Sequence, residues 1–107
     1  MSADRITAEA LLMRVESGAA LMILDVRSRR EFVRGHVPGA HHIPFWRVSR
    51  QIDELSVPRD SELVVYCGHG PRAVIAARAL RRRGFTRITY LDGHFSKWRS
   101  AGFREET

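Results

Sequence analysis

Leu63-Val64-Val65-Tyr66-Cys67-Gly68-His69-Gly70-Pro71-Arg72-Ala73-Val74-Ile75-Ala76-Ala77-Arg78-Ala79-Leu80 decides how this chain is read. The apolar run from Leu63 to Tyr66 lacks alternation and suits a strand buried on both faces. Two glycines and a proline then mark a tight loop. The alanine-rich stretch that follows favours helix, and Pro71 fits the first helical position, where no intrahelical N–H bond is lost. Strand, glycine loop and helix N-terminus therefore meet at Cys67, the single cysteine of the chain. Backbone N–H groups and the helix dipole converge there and favour an anion. A thiolate so placed has a lowered pKa and is a competent nucleophile. A lone cysteine is more often a small buried hydrophobe; Gly68, Gly70, Pro71 and Arg72 around it favour the reactive reading.

The loop reads as an anion cradle. Gly68 and Gly70 permit the backbone angles that turn successive N–H groups towards one point. Pro71 supplies no N–H, so the cradle has one donor fewer. Arg72 can add charge-assisted hydrogen bonds. A cation at a helix N-terminus opposes the dipole, so its placement suggests a bound negative partner.

Outward from the loop, strands and helices alternate. Thr7 caps a helix over Ala8–Ser17 that Gly18 ends, with Leu11, Leu12 and Val15 on one face. Leu21–Leu24 is a second buried strand, running into Asp25-Val26-Arg27. Ser28 caps a short helix over Arg29–Arg34, and Gly35–Ala40 is a turn before a short strand, His41–Ile43. Phe45–Leu55 reads as a helix with Val48, Ile52 and Leu55 on one side, and Pro58-Arg59-Asp60 is a turn. The helix from Pro71 runs to about Arg83 and stops at Gly84. Ile88–Leu91 is a third strand, and Asp92-Gly93 turns the chain into a last helix ending near Ala101-Gly102. This pattern predicts an α/β fold around a mostly parallel sheet, with ligands outside the carboxyl ends of the strands, where Asp25, Cys67 and Asp92 all fall.

At 107 residues and 44% hydrophobic content the chain is expected to be one domain, 1–107, with no internal repeat or linker. One cysteine excludes an internal disulfide framework and suggests a reducing compartment, hence a cytoplasmic protein. No stretch approaches the ~20 apolar residues of a membrane span, and Met1–Arg5 lacks a signal-peptide core. The net charge is +6, with 18 basic residues of which only Lys97 is a lysine. This balance suits small anions or an acidic partner. The cluster Arg78, Arg81, Arg82 and Arg83 reads as a solvated helix end rather than a nucleic-acid patch, because no aromatic residues interleave it. His41, His42 and His94 have no paired metal-ligand spacing with Cys67. Trp46 and Trp98 read as packing residues, Asp25 and Asp92 as loop-fixing groups, and His36 as a structural hydrogen-bonding group.

Three blocks carry a family resemblance. The loop Cys67-Gly68-His69-Gly70-Pro71-Arg72 resembles the active-site loop of rhodanese domains. The segments Asp25-Val26-Arg27, Glu31-Phe32, Gly35-His36-Val37-Pro38-Gly39-Ala40 and Ile43-Pro44 resemble the family's N-terminal signature. Tyr90-Leu91-Asp92-Gly93, Trp98 and Ala101-Gly102-Phe103 resemble its C-terminal signature. The resemblance implies a three-layer rhodanese-like α/β domain, with a mostly parallel central sheet flanked by helices, and sulfurtransferase chemistry without a cofactor. Cys67 would be the nucleophile and persulfide carrier. Gly68, His69, Gly70, Pro71, Arg72 and Ala73 would form the substrate- and persulfide-binding loop. A small anionic donor such as thiosulfate would give up its sulfur to a thiol or protein acceptor. Four residues separate Cys67 from Arg72, one fewer than in the phosphatases and arsenate reductases that look like this fold, so the loop suits sulfur better than a tetrahedral oxyanion. His69 and Pro71 differ from the serine- and asparagine-bearing loops common among single-domain members, and Ala73 stands where many carry serine or threonine. His69 has two readings, tuning the charge at Cys67 or pointing to solvent. The rival to catalysis is a non-catalytic protein-binding or regulatory module; a third reading, RNA association through the arginine cluster, predicts steeply salt-dependent binding.

Overall fold

In the computed structural model, which describes residues 4–19 and 21–107, five strands form one sheet in the order β1-β5-β4-β2-β3. The strands are β1 (Asp4–Ile6), β2 (Met22–Asp25), β3 (His41–His42), β4 (Glu62–Tyr66) and β5 (Arg87–Leu91). Every strand pairing is parallel. The helices are α1 (Ala8–Glu16), α2 (Arg29–Arg34), α3 (Val48–Gln51), α4 (Pro71–Arg82) and α5 (His94–Ser100). Of the Met1–Arg5 segment read for a leader, residues 1–3 lie outside the described residues.

The period of two along β4 sorts its side chains between two cores. Leu63, Val65 and Cys67 join Leu24, Val26, Val48, Ile52, Ala73, Ala76, Ala77 and Leu80 on one face. Val64 and Tyr66 join Ala8, Leu11, Ile23, Leu91, Phe95 and Trp98 on the other. Helices thus cover both sides of β4, with α3 and α4 on the first face and α1 and α5 on the second. A strand covered twice needs a continuous apolar run, which is what the sequence presents at residues 63–66.

Local chemistry sets the element ends. The Thr7 side chain accepts from the Ala10 amide and starts α1. Ser28 and Glu31 form a reciprocal capping box on α2. Two elements depart from the sequence expectation. Phe45–Leu55 is not one helix: a 3₁₀ turn over Phe45–Arg47 leads into the four residues of α3, and a second 3₁₀ turn covers Ile52–Leu55. Aromatic and β-branched residues with an interposed serine support a helix weakly. Burial of Val48 and Ile52 holds the segment on α4 instead. The second departure is β1, a strand the periodicity does not reveal. It is short and largely exposed, and it exists through pairing with β5 at the sheet edge.

Candidate active site

Strands β2, β4 and β5 end side by side, and the site is built on their carboxyl ends. Beneath it lies a buried polar network. The Asp25 carboxylate accepts from the Arg27 amide at 3.0 Å, from the Arg27 guanidinium at 2.7 Å and from the Tyr66 hydroxyl at 2.7 Å. Arg27 also donates to the Gly35 carbonyl at 2.7 Å and lies 4.1 Å over the Phe95 ring. The Val37 amide donates to the Tyr66 hydroxyl at 3.0 Å. Asp25 and Arg27 are both buried, and every charge has a partner, as a buried pair requires. Asp25 therefore fixes loops: it ties the ends of β2 and β4 to the turn at residues 35–37. His36 is structural too. Its ring stacks 3.7 Å from Phe32 and donates from Nδ1 to the Phe32 carbonyl at 2.8 Å. His42 bonds the Arg27 carbonyl at 2.8 Å. Trp98 is fully buried and Trp46 is exposed.

Cys67 is the next residue after β4 and is enclosed. The Gly70 amide donates to its Sγ at 3.0 Å. Gly70 takes a φ of 135°, open to glycine, and this turns its N–H back into the loop. Burial pushes the thiol up. Hydrogen bonding from the His94 ring and from the Ala73 and Gly70 amides outweighs it and brings the thiol down to about 7 from an ordinary 9.0. Half of the sulfur is then ionised near neutral pH, which suits a nucleophile.

Arg72 has its negative partner within the chain. Its guanidinium donates to both carboxylate oxygens of Glu31, at 2.6 and 3.1 Å. The Arg72 and Ser28 bonds hold the Glu31 carboxyl at about 2 despite its partial burial. The same guanidinium borders Gly68 and interacts with the Cys67 sulfur, so a fixed Glu31–Arg72 pair stands at the nucleophile. A cleft of about 340 Å³ opens beside it, lined in part by Glu31, Gly68, His69, Phe95 and Arg99.

The remaining loop residues fall as follows. Gly68 is half-buried and gives its carbonyl to α5, His69 is exposed at the cleft, and Pro71 is exposed at the start of α4. Ala73 is buried against the first core, and its amide serves Cys67. The Arg78–Arg83 cluster is solvated, with Arg83 paired to Asp53. Asp92 pairs at 3.5 Å with Arg5, and its amide donates to the Ile6 carbonyl, so it fixes the β1–β5 edge.

The residue the sequence reading missed at Cys67 is His94. The Cys67 amide donates to its Nδ1 at 3.2 Å. The next two residues latch the same loop, because the Phe95 amide donates to the Cys67 carbonyl at 3.0 Å and the Ser96 amide to the Gly68 carbonyl at 3.2 Å. The signal was a histidine in the turn after the third strand, Gly93-His94, but that this strand lies beside β4 is a matter of topology that the sequence does not show.

A family model for the rhodanese-like domain matches residues 7–101. The chain is 36% identical over 97 residues to the putative sulfur carrier protein YrkF of Bacillus subtilis, covering 91% of this chain and 51% of that protein. It is 35% identical over 97 residues to the thiosulfate sulfurtransferase GlpE of Pseudomonas aeruginosa, covering 91% of this chain and 84% of that one. The fold matches the human single-domain sulfurtransferase TSTD1 at a TM-score of 0.78 and 26% identity, covering 92% and 97% of the two chains. Some curated relatives are longer: the chain spans 51% of YrkF and 43% of a transcriptional regulator of Mycobacterium tuberculosis. With its parallel sheet and the loop at the end of β4, the chain belongs to the rhodanese-like domain family.

Proposed function

We propose that this chain is a sulfurtransferase that carries sulfane sulfur as a persulfide on Cys67. The observation that carries the reading is the place of the thiol: it follows β4 directly and its sulfur accepts from the Gly70 amide at 3.0 Å, surroundings that bring the thiol down to about 7. The thiolate attacks the outer sulfur of a donor such as thiosulfate. A Cys67–sulfur bond forms, the bond to the sulfonate sulfur breaks, and sulfite leaves with the electron pair. The negative charge stays on the outer persulfide sulfur, where the loop amides face it. An acceptor thiolate, small or protein-borne, then takes that sulfur and restores the Cys67 thiolate. This two-step route through a covalent intermediate needs no cofactor and no buried acid–base pair. Arg72 is the cation for the donor's charge, and because Glu31 already holds it, an anionic donor has to share it. GlpE, one of the relatives named as sulfurtransferases, aligns over nine-tenths of this chain and supports the reading.

The test is intact mass after incubation with thiosulfate or glutathione persulfide, beside Cys67→Ser. The expected result is a gain of one sulfur atom, lost on adding cyanide and absent in the variant. No gain from either donor would favour a protein-binding module instead.

A further inference from the structure

Two left-handed residues in succession, Gly93 at φ 75° and His94 at φ 55°, close β5 and open α5. Glycine takes this conformation freely, whereas a residue with a side chain takes it seldom and at a cost. His94 is also buried, at 7% exposed. The backbone itself does not call for a histidine. Glycine would satisfy φ, and the Phe95 and Ser96 amides already fasten the loop to α5. What the imidazole adds lies at Cys67. Its Nδ1 takes the Cys67 amide at 3.2 Å. Its other edge lies under Gly70, where a built Cβ would stand 3.4 Å from Nε2. The ring thus spans the floor of the loop, from the amide of the nucleophile to the glycine whose own amide bonds the sulfur. With Nδ1 accepting, the ring's proton sits on Nε2. That nitrogen lies against Gly70, whose own amide bonds the sulfur.

We propose that His94 is a positioning residue for the Cys67 nucleophile, its neutral ring anchoring the Cys67 amide through Nδ1 and offering the Nε2–H edge to the sulfur side of the loop. The thiol proton goes to solvent, and the ring acts as a fixed donor rather than a base. The other groups facing the loop are Arg72 with its partner Glu31, the exposed His69, Arg27 and Arg99 across the cleft, the Tyr90 ring 6.1 Å from that of His94, and Lys97, whose stem lies against Gly93. This assignment deepens the sulfurtransferase reading and takes its nucleophile from it.

Two variants separate positioning from packing. His94→Gly removes both ring nitrogens and suits the left-handed backbone. His94→Asn also tolerates that backbone, keeps an acceptor near the Nδ1 position and loses the second nitrogen. Iodoacetamide alkylation of Cys67 is followed against pH, with circular dichroism melting as the folding control. The wild type is expected to show a midpoint of about 7. Both variants should show it raised, by about one unit in His94→Gly and less in His94→Asn; one unit means about fivefold slower alkylation at pH 7. An unchanged midpoint in either folded variant overturns the proposal, even where melting falls. If His94→Gly does not fold, His94→Asn decides alone. A raised midpoint in a protein whose wild type accepts no sulfur upholds His94 and defeats the sulfurtransferase reading.

Discussion

Replacing Tyr66 by phenylalanine tests the link between the buried network and the site it supports. The hydroxyl donates to the Asp25 carboxylate at 2.7 Å and accepts from the Val37 amide at 3.0 Å. Burial and the adjacent Asp25 charge push its pKa far up, so it remains a donor at any ordinary pH. Tyr66→Phe removes one bond to a charged acceptor, a loss of about 1.5–3 kcal/mol. It also strands the Val37 amide, in a residue with no exposed surface, at a cost of about 1–3 kcal/mol. A loss of about 3 kcal/mol is therefore expected. For 107 residues, at about 2.1 cal/mol/K each, it lowers Tm by about 13 °C. Urea and thermal unfolding, each followed by circular dichroism, measure it. A loss below about 1 kcal/mol would refute the reasoning, because it would show that neither group depends on the hydroxyl. Because Tyr66 immediately precedes Cys67, the surviving folded protein should also alkylate at Cys67 with an altered pH midpoint.

Glu31→Gln keeps the capping box, since glutamine serves at that position, and removes the charge that holds Arg72. The KM for thiosulfate is expected to fall several-fold, and a KM that rises would show that Glu31 orients Arg72 rather than competing for it. The Glu31 carboxyl is depressed in the folded state to about 2 from 4.5, so its stabilising contribution is complete above pH 4.5 and disappears as pH falls through 2. The pair is about one-third exposed, which limits that contribution to about 1 kcal/mol or less. Acid titration of wild type against Glu31→Gln should show a stability difference that is constant above about pH 4.5, shrinks between 4.5 and 2 and vanishes below; a difference that persists below pH 2 would contradict the linkage. Trp98→Ala, at a fully buried side chain whose indole donates to the Arg104 carbonyl, should cost about 3–5 kcal/mol, whereas Trp46→Ala should change stability by about 0.5 kcal/mol or less. Equal effects of the two in urea unfolding would undermine the assignment of the second core.

The strands covered on both sides were legible in the sequence because double burial leaves an unbroken apolar run, as at Leu63–Tyr66. The edge strand β1 was not, because Asp4-Arg5-Ile6 is held by pairing with β5 rather than by a buried face. The segment from Phe45 to Leu55 kept the i,i+4 burial of Val48 and Ile52 that periodicity shows, but backbone propensity too weak for one helix left it in three pieces. At the site, local order placed Cys67, Gly70 and Arg72 correctly on the strand–loop–helix path. The helix dipole pointed to a bound anion at Arg72, but the negative group the structure places there is a side chain of the same chain, Glu31, 41 residues earlier. Of the histidines, the one inside the loop drew attention, yet His69 is exposed while His94, 27 residues beyond Cys67, bonds its amide.

The two non-local partners of the loop arrive from opposite sides in the sequence and for different reasons. Glu31 comes through a capping box on α2, which fixes its carboxylate by bonds to Ser28 before it reaches Arg72. His94 comes through the crossover that puts β5 next to β4. The Gly70 amide bonds the sulfur and the Ala73 amide adds to it, while Pro71 contributes none. The charge on Cys67 therefore depends on His94, outside the motif, as well as on the loop amides. On the proposed reading, two chains with the same six loop residues but different residues at 31 and 94 would differ in the charge they stabilise at Cys67. If Cys67 carries sulfur as proposed, donor preference depends on α2 and the β5–α5 turn as well as on the loop.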